Sequence, residues 1–240
     1  MVAAEHEHDF LFLPKFSMVI THIKRLKDAE KETEQFISTV KLLGPHLGPM
    51  LIQIGDNFGP KNFPFLEEFV QQLLDDQRFF IELRHEGWFY DPFHRKAVFD
   101  LLARYQIGTV IADTPGRRDC VHMELTIPEA YIRFNGLGSD FRTFDYLRLD
   151  AWADRLKAWL HSGLEKVYFI VSQKDEVDTP ALAQNSYKME IRIILDHVTI
   201  DVSNLVPLIT GVVITTIRYY RKKPKQKRLL KIREKMKIPN

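Results

Sequence analysis

The stretch FFIELRHEGW, Phe79 to Trp88, puts a carboxylate (Glu82), a fixed cation (Arg84), an imidazole (His85) and a large aromatic (Trp88) within seven positions. A carboxylate or an imidazole can move a proton, a guanidinium can hold negative charge, and an indole can line a pocket. In an extended strand Glu82 and Arg84 point to one side and Leu83 to the other. A carboxylate buried beside a guanidinium is ionised and hydrogen-bonded. The plainer account of the same residues is a Glu–Arg pair that orders the interior, with His85 capping the next turn.

Further polar residues stand where other apolar runs end. Arg133 and Asn135 in AYIRFNG share the spacing of Glu82 and Arg84, and a second cation suits an anionic or polyhydroxyl ligand. Asp113 in VIADTPGRRD could serve as a base, a ligand or a cap. Lys15 and His22 in LPKFSMVITHIKRLKD could grip an anion. Gln53, with Asp56, in LIQIGDNFGP could orient a ligand or simply form the turn. The catalytic candidates are therefore Glu82, Arg84, His85 and Asp113. The ligand-binding candidates are Lys15, His22, Gln53, Trp88, Arg133 and Asn135. There is no HExxH, CxxC, GxSxG or EF-hand pattern, and His22, Glu82, His85 and Asp113 lack a metal-defining spacing. No metal is assigned and no cofactor is indicated.

Short apolar runs at Phe10–Phe16, Met50–Ile54, Phe79–Leu83, Thr109–Asp113, Ala130–Phe134 and Val167–Val171 must position these groups. Amphipathic segments of helical spacing follow most of them, at Asp28–Leu43, Asn62–Leu74, Pro92–Tyr105 and Asp150–Ser162, with Asp28 placed to cap the first. Strands alternating with helices predict βαβ units and a parallel sheet buried on both faces. No GxGxxG or P-loop pattern follows any strand. Polar residues recur instead at several strand ends, as they do in a barrel. The reading is an α/β, TIM-barrel-like fold, incomplete, with about six parallel strands over residues 9–184 and a divergent tail over 185–240.

The formal net charge is +2 over 240 residues, yet residues 218–237 hold 11 Lys or Arg and one Glu. The remainder carries 23 basic and 31 acidic residues, which gives the main domain no support as a nucleic-acid binder. The single cysteine, Cys120, excludes an internal disulfide and fits a reducing compartment. The N-terminal residues show no basic region followed by an apolar run, so a cytoplasmic chain is expected. Residues 203–217 are apolar and uncharged and precede the basic cluster, the pattern of a membrane segment with its flank. At 15 residues, with Pro207 and Gly211, the run falls short of the roughly 20 needed to span as a helix, so a strand packed on the body is the preferred account.

The strings FSMVITHIKRLKD, LGPMLIQIGDNFGP, FFIELRHEGWF, GTVIADTPGRRD, AYIRFNG and WADRLKAWLHSGLEKVYFIVSQKDE, in this order, make the chain similar to the YecE-like family, also called domain of unknown function seventy-two. The resemblance covers about residues 9–184. It implies a TIM-barrel-like fold and a cleft where Lys15, His22, Gln53, Glu82, Arg84, His85, Trp88, Asp113, Arg133 and Gly136 converge; it implies no reaction. Against that family the match begins at what would be the third strand, and Ser172 stands where relatives tend to have His. Two barrel strands are thus expected to be absent, with the tail or a partner covering an exposed sheet edge. The functional expectation is acid–base chemistry on an anionic small molecule, with His85 or Glu82 moving the proton and Arg84 and Arg133 holding charge. The alternatives are a non-catalytic ligand-binding barrel and a protein attached to membrane through its tail.

Overall fold

In the computed structural model, residues 11–73, 76–173 and Leu182 are described in full, and the tail is described only as the backbone of residues 200–201, 206–207 and 213–219. Five strands form at the expected apolar runs: β1 (Met50–Gln53), β2 (Phe79–Glu82), β3 (Gly108–Asp113), β4 (Glu129–Asn135) and β5 (Lys166–Ser172). Each is parallel to the one before it, so spatial order follows chain order. A doubly wound sheet reverses direction midway, whereas a barrel adds each strand beside its predecessor. The sequential order makes the fold TIM-barrel-like.

The run at 10–16 is less regular than expected. It joins β1 in the same parallel sense through two bridges, Phe12 to Leu47 and Lys15 to Leu51. Pro14 explains the gap between them. Its carbonyl accepts from Leu51 N–H at 2.8 Å, so its nitrogen faces the same neighbour and has no hydrogen to give. At the other edge, the tail strand Val213–Tyr219 (β8) pairs antiparallel with β5, and the short β6 (Ile200–Asp201) and β7 (Val206–Pro207) pair with β8. Part of the apolar segment 203–217 thus extends the sheet. The basic residues 220–237 lie outside the described residues. Among the described residues no helix is long and apolar enough to cross a membrane.

The helices are α1 (Glu30–Val40), α2 (Phe63–Gln71), α3 (Gly87–Tyr90), α4 (Pro92–Arg104) and α5 (Arg142–His161). Asp91 caps α4 through Phe93 N–H at 2.8 Å, and Pro92 takes the first helical position. The expected cap of α1 is not made. Asp28 is left-handed at φ 45°, and Ala29 occupies the N-cap without a side-chain bond. Arg25 and Leu26 are also left-handed, and the tight loop they form fixes the approach to α1. α5 begins eight residues before its expected start. Its first turns turn Asp145 and Arg148 inward rather than apolar groups, so hydrophobic spacing does not show them.

Alternation divides the sheet into two buried faces. Met50, Ile52, Phe79 and Ile81 pack outward with α1, α2 and α4, while Ile132, Phe134, Phe169 and Val171 pack with α5. Leu51, Phe80, Val110, Tyr131 and Tyr168 fill the concave side. Every residue of β1 and β2 is buried, as expected of strands covered on both faces. The residues one or two steps further along the concave side reach the carboxyl ends of the strands.

Candidate functional site

Following the concave face beyond its apolar layer, Leu51 leads to Gln53, Phe80 to Glu82 and Arg84, and Tyr131 to Arg133 and Asn135. Strand register sets these groups side by side, with Gln53 opposite Glu82 and Ala112 opposite Arg133. Glu82 is 2 % exposed. Its Oε1 accepts from Gln53 Nε2 at 2.9 Å and its Oε2 from Arg133 Nη1 at 2.5 Å. Lys15 Nζ donates to Gln53 Oε1 at 2.7 Å, which orients the amide so that its NH₂ faces Glu82. Burial, then the neighbouring Arg133, pulls the Lys15 ammonium below its ordinary pKa. Burial likewise pushes the Tyr131 phenol, one layer below, upward.

Gln53, Glu82 and Arg133 wall a pocket of about 190 Å³, with Arg84, Thr114, Arg117, Cys120 and Asn135 completing its sides, while Lys15 stands behind Gln53. Arg84 Nε pairs with Asp56 at 3.0 Å and stands 3.9 Å from Glu82. Asn135 accepts from Ser172 Oγ and donates to Thr114 Oγ1 at 2.7 Å. A larger cavity of about 520 Å³ opens at the amino ends of the strands, but its charges pair among themselves: Lys41 with Asp76 at 2.9 Å, and Arg78 and Lys166 about Glu129 at 3.5 and 3.6 Å.

Arg117, absent from the sequence-derived candidates, is central to the mouth. Its guanidinium reaches Asp56 at 3.1 Å, the Arg84 carbonyl at 2.5 Å and Cys120 Sγ at 3.0 Å. Cys120 in turn donates to the Arg84 carbonyl at 3.1 Å. Burial, then the Asp119 carboxylate, pushes its thiol up to about 11, so it stays protonated and acts as a strut. The signal was the charged turn TPGRRDC after β3, but the partners of that turn come from distant loops.

Five candidates do not line this pocket: Lys15, which touches it only through Gln53, and four that lie apart from it. Asp113 has the wrong parity: Val110 and Ala112 face inward, so Asp113 faces α5. There it is buried, pairing with Arg148 at 2.7 Å, with Arg118, and with Trp152 Nε1 at 2.8 Å. His85 also turns outward. Its Nδ1 accepts from Gly87 N–H at 2.9 Å, and its ring rests on Gly59, where a Cβ would meet it at 2.8 Å. Trp88 is fully buried, donating to the Phe58 carbonyl at 2.8 Å, and offers no face to a ligand. His22 bonds Thr21 at 2.8 Å and lies beside Gly55, outside the pocket wall. Gly136 has a local reason: a Cβ there would fall 2.2 Å from Gln173 Oε1, which accepts from Gly138 N–H. Among the described residues no three His, Cys, Asp or Glu side chains are grouped to hold a metal ion.

A sequentially ordered parallel sheet with a charged pocket at its carboxyl ends defines a (β/α)-barrel-type protein. The family model described as "Protein of unknown function DUF72" matches residues 2–192, and the chain belongs to that family. UPF0759 protein YecE of Escherichia coli is 26% identical over 198 residues, covering 75% of this chain and 71% of the relative. A DUF72 family protein of Enterococcus faecalis has a similar structure, with a TM-score of 0.60 at 22% identity and 79% of each chain covered. One from Thermotoga maritima gives 0.55 at 22%, covering 79% of this chain and 75% of that one.

Proposed function

We propose that the mouth binds a small anionic molecule and that Glu82 accepts a proton from it. The observation that carries this reading is Glu82 itself, a buried carboxylate on the wall of a pocket that also presents Arg84, Arg117 and Arg133. Guanidinium forks suit carboxylate or phosphate oxygens. An entering anion competes with Glu82 for Arg133. Once that bond is taken over, the Glu82 Oε2 that Arg133 held is open to accept a hydrogen from the ligand. The charge of the ligand thereby switches on the base, and Arg84 and Arg133 stabilise the negative charge that develops. His85 takes no part, because its Nδ1 is occupied by Gly87 and its ring is held by glycines.

Inorganic phosphate and a panel of sugar phosphates and carboxylic acids test the reading by calorimetry and turnover. Arg133→Met should weaken anion binding by about tenfold or more. Glu82→Gln should bind at least as well as the parent, since the internal competitor is gone, while losing about a hundredfold or more in turnover. Parent-like turnover in Glu82→Gln removes Glu82 from the chemistry, and no binding across the panel removes the anion reading.

One observation favours binding without turnover as a second reading. Among the residues lining the pocket, Glu82 is the one carboxylate and there is no imidazole, so a second proton carrier must come from the ligand or from water. Tight anion binding with no turnover in the panel would select this reading.

A further inference from the structure

The alternation that sends Gln53, Glu82 and Arg133 to the mouth also runs the other way along the strands. One step below the apolar layer, Phe80 leads back to Arg78, Tyr131 to Glu129 and Tyr168 to Lys166, at the amino ends of β2, β4 and β5. Register sets Glu129 opposite Lys166. All three charged residues line the cavity of about 520 Å³, a volume within the roughly 300–1,000 Å³ of small-molecule sites.

Glu129 is 5 % exposed, and its bonding is incomplete. Its Oε2 is buried and accepts no hydrogen bond. Its Oε1 meets Arg78 Nε at 3.5 Å and Lys166 Nζ at 3.6 Å, beyond the roughly 2.7–3.2 Å of an N–H···O bond. The two cations offset the charge without satisfying the oxygens, and a carboxylate buried in that state is costly until a further donor reaches it. That donor is not a cation, because Arg78 and Lys166 already flank the position. It is not carried by an anion, which would be set against Glu129 and against Asp76 in the same cavity. A hydroxyl fits. Its oxygen accepts from an ammonium or guanidinium while its hydrogen goes to the carboxylate, so it spans the gap that the ion pair leaves open. The rest of the lining repeats the requirement. Lys41 and Asp76, 2.9 Å apart, present a second cation beside a carboxylate, Gln77 adds an amide, and Leu11, Leu47 and Pro49 supply an apolar wall. Several hydroxyls on one hydrocarbon skeleton match both parts of that lining, whereas water matches only the polar part.

We propose that the amino-end cavity binds a neutral polyhydroxyl molecule, a sugar or sugar alcohol, whose hydroxyls bridge Glu129 to Arg78 and Lys166. The proposal does not rest on the anion-binding reading, which concerns the opposite end of the barrel. The full chain is titrated with glucose, maltose and mannitol, and binding is followed by saturation-transfer NMR of the sugar. At least one of the three is expected to bind saturably, with a Kd in the millimolar range. Glu129→Gln, which replaces one acceptor oxygen by a donor, is expected to weaken that binding by about tenfold or more. Lys41→Met, at the half-exposed rim, is expected to weaken it severalfold with an unchanged melting temperature, and it decides the matter if Glu129→Gln does not fold. Absence of saturable binding by the parent overturns the proposal and leaves the cavity to water. Binding that the folded variants leave unchanged overturns it as well, because the sugar would then sit elsewhere on the molecule.

Discussion

Glu82 and His85 are three positions apart and have opposite fates, and the reason is parity. Residues 82 and 84 face the concave side with Gln53 and Arg133, whereas His85 falls on the other side and is clasped by Gly59 and Gly87. The alternation that pairs Glu82 with Arg84, and Arg133 with Asn135, is visible in the sequence. The phase of β3 is not, because five of its six residues are apolar or small and suit either face; Asp113 was therefore grouped with the wrong set. A buried imidazole outside the pocket gives a prediction at this scale. His122 stacks on Phe89 with ring centroids 5.4 Å apart; its Nδ1 accepts from Glu124 N–H at 3.4 Å and its Nε2 bonds the Val110 carbonyl at 3.1 Å. That arrangement fits the neutral ring, and burial pushes its pKa from 6.5 down to about 4. The unfolded chain then binds the extra proton between those values, so stability is complete above the unfolded pKa and falls as the pH drops toward the folded one. Urea unfolding should show about 2 kcal/mol lost from this group between near-neutral pH and pH ~5. A His122→Gln variant should lack that part of the acid sensitivity, and an equal slope in both proteins would show that His122 is not its source.

Elements meet at the mouth through one side chain that no motif announces. Arg148, on the second turn of α5, bonds the Asp113 carbonyl at 2.9 Å, the Asn135 carbonyl at 3.0 Å and Asp145 at 2.9 Å, and its guanidinium lies 4.2 Å from the centre of the Phe134 ring. It ties the carboxyl ends of β3 and β4 to the helix, which keeps Arg133 and Asn135 in register with Glu82. Arg148→Met would keep much of the stem packing but leave the buried Asp113 and Asp145 carboxylates short of their shared cation. The expected cost is about 3–5 kcal/mol in chemical denaturation, against less than about 0.5 kcal/mol for Arg155→Met on the exposed side of the same helix. Similar losses in the two variants would mean that Arg148 is no more than a surface charge. The helices whose inner faces are apolar, α1, α2 and α4, were legible from spacing to within a few residues. The start of α5 was not, because its inward groups are ionic and their partners are strand-end carbonyls known only once the sheet has formed.

At the scale of the molecule, the sheet must curve for its strand ends to converge, and curvature depends on what fills the concave side. Phe80 occupies the centre of that layer, fully buried, with its ring 5.3 Å from Tyr131 and 5.8 Å from Tyr168. The next strand makes room for it with Gly108, the residue opposite Phe80 in register. A Cβ at 108 would lie 2.2 Å from the Phe80 ring, too close for any rotation of a ring held by two tyrosines to relieve. The sequence shows both residues but not their opposition, since register between β2 and β3 depends on the helix and loops that join them. The pair makes a double-mutant cycle that reports on the assembled interior. Phe80→Ala alone should cost about 3–5 kcal/mol, as a large core deletion does. Gly108→Ala alone should cost about 1–3 kcal/mol by overpacking. Together they should cost no more than Phe80→Ala, because the new methyl enters space the ring has left. Urea unfolding of the four proteins decides the matter. Additive losses would mean that Phe80 does not sit over residue 108, and the concave layer that brings Gln53, Glu82 and Arg133 to one mouth would have to be built from another register.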